Sequence, residues 1–244
     1  MKLNKDTAVS TPQVLLVPYE PRHVPLYHEW MQDPAIQEAT ASEPLSLREE
    51  FENQESWRAS ADKLTFILCA PLSDAGAAVA AGTADAAPRM RGDINLFLTE
   101  AVLSDDDDEG FTAPGSGSCC AGGHAHAHCA DEDRLFTAEI DVMVARAADQ
   151  GQGLGTAAVR ALLEYVRRHE AGIVREAAGG TGVGKIIAVE ARIKEGNVRS
   201  RRVFARLGFV QRGGVNYFGE IKMVSDAGWR DVAVDGWREM EYTR

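Results

Sequence analysis

A hexapeptide with three glycines, Gln150-Gly151-Gln152-Gly153-Leu154-Gly155, has the composition of a phosphate-binding loop. Glycine adopts backbone conformations that are closed to other residues, and it leaves space for backbone N–H groups to surround an anion. A segment with helical periodicity follows, and the N-terminus of a helix carries a partial positive charge. We therefore expect the backbone N–H groups from Gln152 to Thr156 to bind phosphate, although the same pattern also occurs in ordinary turns.

Two carboxylates precede this loop on a segment with strand character. Apolar residues alternate with Glu139 and Asp141 between Leu135 and Val144, so both acids fall on one face. A carboxylate beside an amine can accept its proton, directly or through water. Such a base is useful because an amine must be neutral to act as a nucleophile, whereas an α-amino group has a pKa of ~8 and a lysine of ~10.4. For Glu139, a solvent-facing strand residue or an ion-pair partner stays open as an alternative.

Strands and helices in a mixed order must position these groups. The predicted order is β-α-α-β-β-β-α-β-α-β-β, a mixed α/β (α+β) pattern with the glycine loop between the fourth strand and the third helix. The predicted strands are residues 14–18, 64–70, 92–98, 135–144, 186–193, 209–210 and 217–224. The predicted helices begin near Pro25, Ser46, Leu154 and Asn197, and the third ends at His169.

Local signals indicate where two of these helices begin or end. Asp33-Pro34 is expected to stop the first helix. Ser46 and Glu49 have the spacing of a capping box, which opens the second helix. We expect the apolar residues of the second helix to point inward, and these are Leu47, Phe51 and Trp57.

One domain from about residue 10 to 224 accounts for these elements. Residues 71–89 are rich in alanine and are predicted to form an enlarged loop. Residues 101–134 contain an acidic run and few residues that can enter a core, so they are predicted to be a disordered insertion in a hairpin. Residues 225–244 form a predicted tail that could add one strand.

Composition excludes several classes of protein. The chain has 244 residues, of which 45% are hydrophobic and 26% are charged, as in an ordinary soluble domain. Its formal charge of −11 argues against general nucleic-acid binding, which requires a basic face. No segment is long and apolar enough for a membrane span, and the first residues lack the apolar core of a signal peptide. The four cysteines lack the spacing of a disulfide scaffold, so we expect a cytoplasmic protein.

Histidine and cysteine residues within the predicted insertion raise the possibility of a zinc site. They are Cys119, Cys120, His124, His126, His128 and Cys129. The histidines are separated by single residues, and no C-x-x-C pair accompanies them, unlike the ligands of a structural zinc site. We therefore expect no metal.

Two motifs resemble those of one superfamily. The glycine loop is similar to [QR]-x-x-G-x-[GA], the pyrophosphate loop of acetyl-CoA-dependent acetyltransferases, and the segment from Asn197 to Phe209 resembles N-x-x-[AS]-x-x-[LFV]-x-x-x-x-G-F. Their order, with a helix and a strand between them, resembles that of the Gcn5-related N-acetyltransferase (GNAT) superfamily. This resemblance implies a mixed central sheet of about seven strands flanked by about four helices, with acetyl-CoA as the co-substrate.

A narrower resemblance lies outside these motifs. Residues 40–45, 61–67, 92–98 and 139–144 are similar to the N-acetyltransferase 9-like family, and they are distributed over most of residues 14–224. Proteins of that family are described as protein N-acetyltransferases linked to tubulin and microtubule stability. The resemblance thus implies an amine acceptor, with a protein N-terminus favoured and tubulin suggested.

The superfamily resemblance also implies roles for single residues. Glu139 precedes Gln150 by the spacing of the strand-borne base of histone acetyltransferases, so it is the first candidate for the base, and Asp141 is the second. Asn197 resembles an asparagine that binds the pantetheine arm, and a helix N-cap role is equally open. The predicted cofactor-binding residues are Val142, Met143, Val144, Gln150, Gly151, Gln152, Gly153, Leu154, Gly155, Thr156, Asn197 and Ser200.

The segment from Val142 to Val144 is expected to lie beside the pantetheine arm, whose amides can pair with a strand edge. A backbone N–H in this segment could also stabilise the thioester oxygen during transfer. One position departs from the family pattern, because many members carry a tyrosine seven residues after the asparagine and this chain has Phe204. The tyrosine protonates the departing thiolate, so no general acid is implied here, and water can serve instead.

The sequence therefore predicts an acetyl-CoA-dependent protein N-acetyltransferase in which the amine attacks the thioester directly. Two alternatives stay open. One is a non-catalytic module that binds acetyl-CoA or tubulin, and the other is an acetyltransferase for polyamine-type small molecules.

Overall fold

The computed structural model describes residues 1–74, 78–101, 134–180 and 183–244. These residues form one mixed sheet of ten strands with five α-helices, which confirms the predicted α/β class and exceeds the predicted number of strands. The strands are β1 (Thr7–Ser10), β2 (Leu15–Pro18), β3 (Lys63–Cys69), β4 (Val79–Ala80), β5 (Met90–Glu100), β6 (Arg134–Val144), β7 (Gly184–Lys194), β8 (Val210–Arg212), β9 (Glu220–Ser225) and β10 (Arg238–Thr243). The helices are α1 (Val24–Met31), α2 (Pro34–Thr40), α3 (Leu47–Ala59), α4 (Leu154–Ala177) and α5 (Val198–Arg206). The strand order across the sheet is β4-β10-β1-β2-β3-β5-β6-β7-β9-β8.

The Asp33-Pro34 signal starts a helix as well as ending one. The Asp33 side chain accepts a hydrogen bond from the backbone N–H of Ala35 at 2.9 Å, and Pro34 is the first residue of α2. Proline is favoured at this position because the first N–H of a helix has no intrahelical partner. Asp33-Pro34 was interpreted only as the end of the first helix, so α2 was not predicted. It also ended α4 too early, since Ile173 and Val174 continue its buried face beyond His169.

The start of α3 agrees with the capping-box prediction, but its buried face does not. The backbone N–H of Ser46 donates to the Glu49 carboxylate at 2.8 Å, and Ser46 Oγ accepts from the Glu49 N–H. Leu47 and Phe51, predicted to point inward, are 43% and 38% exposed. Trp57, the third predicted inward residue, is half-buried and packs edge-on against Phe97.

Polar residues of α3 take the buried positions instead. Glu50 and Gln54 are 2% and 5% exposed, and Gln54 Nε2 donates to the carbonyl oxygen of Tyr19 at 2.9 Å. The strands beneath also carry buried polar groups, including Thr65 and Asn95. The face of α3 that meets the sheet is therefore polar, which hydrophobic periodicity does not predict.

The two faces of the sheet differ in chemistry. One face packs with α4 and α5 in a large apolar core that includes Leu96, Ile140 and Val189. On the other face, α1 and α2 pack in a smaller core, and that face then becomes charged from β6 to β9. The charged residues on this part of the face come from the paired strands β6, β7 and β9, and they are Glu139, Glu190, Arg192, Lys194, Glu220 and Lys222. An accessible polar surface thus lies on the side of the sheet opposite α4.

The parallel strands β6 and β7 pair over only part of their length. Their register shifts after Phe136, because Phe136 pairs with Ile186 whereas Thr137 pairs with Ala188. This bulge leaves Ile187 without an opposed residue. The last paired residues are Glu139 and Glu190, and β6 then continues to Val144 paired with β5 alone.

Both flanks of the predicted domain, residues 10–224, take part in the sheet. β10 lies within the predicted tail and pairs antiparallel with β1, while β4 pairs parallel with β10. Part of the predicted loop at 71–89 is anchored here, because the buried carboxylate of Asp85 accepts hydrogen bonds from His23 and Tyr242. Burial alone would raise the pKa of Asp85, but these hydrogen bonds lower it to about 2.

The predicted insertion at 101–134 and its cysteine and histidine residues lie outside the described residues, except for Ala101 and Arg134. These two residues lie at neighbouring ends of the antiparallel strands β5 and β6, where Arg134 Nη2 is 2.6 Å from Glu100 Oε2. Within the described ranges, no helix has the length and apolarity needed to cross a bilayer.

Candidate active site

A gap between β6 and β7 forms the first part of the site. Beyond the Glu139–Glu190 pair, β7 pairs only with β9, so one edge of β6 from Ile140 to Val144 has no strand partner among the described residues. Backbone groups on such an edge can pair with an extended ligand that carries amides. Val142, Met143 and Val144, which the sequence predicted to lie beside a pantetheine arm, are on this edge.

The glycine loop follows at the open end of β6. Gly151 and Gly153 have φ angles of 75° and 84°, which disfavour residues with a Cβ atom. Gly153 is the N-cap of α4 and provides no side-chain cap. The first intrahelical donor is the N–H of Ala157, which bonds to the Gly153 carbonyl, so the N–H groups of Leu154 to Thr156 have no acceptor within the helix. These groups can bind an anion.

Gln150 connects three elements around this loop. Its Nε2 donates to the carbonyl oxygen of Val144 at 2.9 Å, and its Oε1 accepts from Nη1 of Arg199 at 2.6 Å. Gln152 holds the loop more locally, donating to the Ala148 carbonyl at 2.6 Å. Gly155 is in contact with α5, since a Cβ there would be 3.7 Å from Val203 Cγ2, an ordinary van der Waals distance. The end of β6, the loop and α5 are therefore fixed relative to one another.

Glu139 lies where β6 and β7 separate. Its Oε2 is 3.1 Å from Nε of Arg192, and its side chain is 28% exposed. Burial, reinforced by the charge of Asp141 and opposed by that of Arg192, raises the pKa of Glu139 to about 7. The ion-pair alternative from the sequence is thus part of the geometry, and it coexists with a pKa suited to proton transfer near neutral pH.

Asp141 is the next residue on this face of β6. It is accessible from the cleft but bordered by other acids, and desolvation together with the charge of Asp93 raises its pKa to about 6. Asp93 on β5 is 2% exposed and accepts hydrogen bonds from Asn95 Nδ2 at 2.8 Å and from the Tyr27 hydroxyl at 3.3 Å. Glu220 also acts on both Glu139 and Asp141. Acidic side chains therefore cluster around Glu139 and Asp141, beside Arg192, and this cluster suits a cationic acceptor.

Asn197 and Ser200 lie at the start of α5. Oδ1 of Asn197 accepts a hydrogen bond from the Ser200 N–H at 3.1 Å, so Asn197 is the N-cap. Phe204 is 2% exposed and packs against Phe209 with 5.1 Å between ring centres. The position that holds a tyrosine in many superfamily members therefore contributes to the core here.

Several site residues were missed by sequence reasoning. Arg192 and Glu220 come from strands far apart in the sequence, and only the register of the sheet places them beside Glu139. Asp93 could have been identified as a candidate site residue from the sequence, because it is an acid at the start of an otherwise apolar strand segment. As for metals, a search of the described ranges finds no group of three or more histidine, cysteine or acidic residues that could hold an ion.

This arrangement fits acetyl-CoA. The unpaired edge of β6 can pair with the amides of the pantetheine arm, and the uncapped N-terminus of α4 can bind the pyrophosphate. Glu139 lies at the inner end of the gap, on the charged face of the sheet.

Residues 13–210 match the acetyltransferase (GNAT) domain family. Alpha/beta-tubulin-N-acetyltransferase 9 of Homo sapiens is 36% identical to this chain over 224 residues, which cover 91% of the chain and 84% of that protein. N-acetyltransferase 9-like protein of Schizosaccharomyces pombe is 31% identical over 226 residues, covering 91% and 97%. The solved structure of aminoglycoside acetyltransferase AAC(6')-Ib with coenzyme A aligns with a TM-score of 0.54 at 19% identity, covering 91% of this chain and 97% of that chain. At this identity, the structural similarity supports a shared fold.

Proposed function

The chain belongs to the acetyltransferase (GNAT) domain family and is an acetyl-CoA-dependent N-acetyltransferase of the N-acetyltransferase 9-like group, and from this premise we propose that its acceptor is the N-terminal α-amino group of a protein, α- or β-tubulin. The tubulin acceptor is supported by the name of the human relative. A cytoplasmic location, expected from the sequence, is part of the proposal and can be tested by imaging the labelled protein together with microtubules.

The observation that carries the proposal is the position of Glu139 on the charged face where β6 and β7 separate, with a pKa of about 7. A carboxylate with this pKa is suited to accept a proton from an amine near neutral pH. At that pH an α-amine, with a pKa of ~8, is neutral more often than a lysine of pKa ~10.4. These values support an α-amine as the acceptor.

In this proposal, Glu139 accepts the proton from the acceptor ammonium, directly or through one water. Arg192 holds the carboxylate in position, and Asp141 helps attract the cationic acceptor. Backbone N–H groups of Val142 to Val144 orient the pantetheine arm and can donate to the developing oxyanion. The N–H groups of Leu154 to Thr156 bind the pyrophosphate.

When bound, acetyl-CoA supplies the acetyl group as a thioester, whose C–S bond breaks as the new C–N bond forms. Phe204 has no hydroxyl to protonate the sulfur, and water takes that role in this proposal.

Mass spectrometry separates these functions. The protein is incubated with acetyl-CoA and either peptides with the N-terminal sequences of α- and β-tubulin or polyamines, and peptides with a blocked N-terminus are the matched control. We expect one acetyl group on the free peptide N-terminus and none on the blocked peptide. Faster acetylation of polyamines would overturn the protein acceptor, and tight acetyl-CoA binding without turnover of either kind of amine would overturn the tubulin acceptor.

A further inference from the structure

A recess lies between α1, α3 and the loop from α2 to α3, over the face of the sheet that carries Glu139. It encloses about 220 Å³, room for about seven water molecules or one long side chain. Part of its wall is apolar and includes Tyr27, Met31, Leu45 and Trp57, and part is acidic and includes Glu43 and Glu50.

Glu50 is the unusual residue of this recess. It is 2% exposed, and its buried Oε2 has no hydrogen-bond partner. Buried polar atoms are seldom left unpaired, and an unpaired carboxylate oxygen is especially unfavourable. Burial raises the pKa of Glu50, while the nearby His28 on α1 opposes this.

Two of the neighbouring donors are already used. Gln54 Nε2 donates to the Tyr19 carbonyl at 2.9 Å, and the Tyr27 hydroxyl donates to Asp93. The buried hydroxyls of Tyr19 and Thr65 have no partner. The two acids in its wall give the recess a negative charge, which a ligand with a positively charged donor would offset.

The recess is close to the proposed base. Trp57 lines it and packs edge-on against Phe97, with ring centres 5.8 Å apart. Phe97 on β5 lies directly opposite Glu139 on β6, and opposed residues have Cβ atoms about 5 Å apart. A group in the recess would therefore be separated from Glu139 by the side chains of Trp57 and Phe97.

We propose, on the basis of the protein acceptor proposed above, that this recess binds the side chain of a lysine or arginine close to the acetylated N-terminus. The apolar wall formed by Met31, Leu45 and Trp57 contacts the aliphatic part of that side chain. The Glu50 carboxylate, with Glu43 at the rim, pairs with its charged end. The recess thus makes the enzyme selective for acceptors that begin with a basic sequence.

The test compares peptides that differ in one charge. Acceptor peptides carry arginine at the second or the third position, and the matched peptides carry citrulline, which has nearly the same shape without the charge. The wild type should show a kcat/KM about tenfold or more higher for an arginine peptide, mainly through KM, because a charge-assisted hydrogen bond is lost with citrulline. Glu50→Gln should remove this preference and leave kcat/KM for the citrulline peptide and the KM of acetyl-CoA unchanged. Glu52→Gln is the control on the same helix, since Glu52 is exposed and pairs with Arg48 at the surface.

Each outcome decides the matter. Equal wild-type rates for arginine and citrulline peptides would overturn the basic-residue preference and leave the proposed function intact, and this comparison needs no variant to fold. An equal loss with both peptides in a folded Glu50→Gln protein would assign Glu50 a structural role and overturn the proposal. Absence of turnover with every peptide would overturn the proposed acceptor, and this inference with it.

Discussion

Replacement of Glu139 by glutamine should lower turnover and change its pH dependence. A positioned general base contributes about 10²- to 10⁴-fold, so we expect kcat to fall by about 100-fold or more. In the wild type, a carboxyl with a pKa of about 7 is only about one-tenth ionised at pH 6, so kcat should fall about tenfold from its plateau to that pH. A carboxyl with an ordinary pKa would leave the same range flat.

Below neutral pH, kcat should fall along the acid limb of the pH profile. Replacement of either of two residues next to Glu139 should shift this limb, and the two shifts should be in opposite directions. The charge of Asp141 raises the pKa of Glu139, so Asp141→Asn should move the limb to lower pH. Arg192 lowers that pKa, so Arg192→Gln should move the limb to higher pH. The Glu139–Arg192 pair is partly exposed to solvent and worth at most about 1 kcal/mol, which limits the second shift to roughly 0.7 pH unit. The pKa of the free acceptor amine is the same in every experiment.

The assay measures kcat at saturating acetyl-CoA and acceptor peptide from about pH 5.5 to about pH 9, because kcat reports the groups that titrate in the bound complex. Acetyl-CoA binding by each variant verifies that the cofactor site is intact. Opposite shifts in the two neighbours, with loss of the limb near pH 7 in Glu139→Gln, would identify Glu139 as the base. Profiles of all three variants that superimpose on the wild type would refute this reasoning.

Three other predictions concern binding and stability. Gly153→Glu should weaken acetyl-CoA binding at least tenfold in calorimetry without loss of secondary structure, because it strains a residue at φ 84° and places a negative charge at the helix N-terminus. The control is Gly179→Glu, at φ 78° beyond the other end of α4. Equal acetyl-CoA binding by both variants would contradict the loop assignment. Tyr242→Phe should lower the free energy of unfolding by about 1–3 kcal/mol, because buried Asp85 loses a donor, and an unchanged melting temperature would argue against this anchor. Replacement of residues 104–131 by a short glycine-serine linker should preserve acetyl transfer, since the flanking strands β5 and β6 are paired neighbours; loss of folding would show that the segment is structural.

The parts of the molecule that were predictable from sequence depend on local signals. The Ser46 capping box, the strand from residue 135 to 144 and the glycine loop each need only a few adjacent residues to specify them. The strand β10 was predicted only as a possible addition within the tail, because its sequence, Arg-Glu-Met-Glu-Tyr-Thr, is mostly polar. It forms a strand because β1 and β4 pair with its backbone and Tyr242 is buried.

The least predictable parts depend on contacts between distant segments. Apolar residues on α3 were expected to face the core, yet Leu47 and Phe51 are largely exposed while Glu50 is buried. Periodicity assumes an apolar partner surface, and the surface beneath α3 is polar. Likewise, the pKa of Glu139 depends on Arg192 and Glu220, and their proximity follows only from strand register.

Ile187 is the one residue of β7 without an opposed residue, and it determines the face of the sheet on which each later side chain of that strand lies. Without the bulge, the pairing of Arg134 with Gly184 would continue in step, and Glu139 would lie opposite Val189. Because strand side chains alternate between faces, Glu190 and Arg192 would then point into the apolar core against α4, and Val189 and its apolar neighbours would line the cleft. One added residue therefore determines which side chains of β7 face the cleft and which face the apolar core. Any variant that removes it should exchange the polar and apolar sides of the acceptor site together, even though no functional residue has been changed.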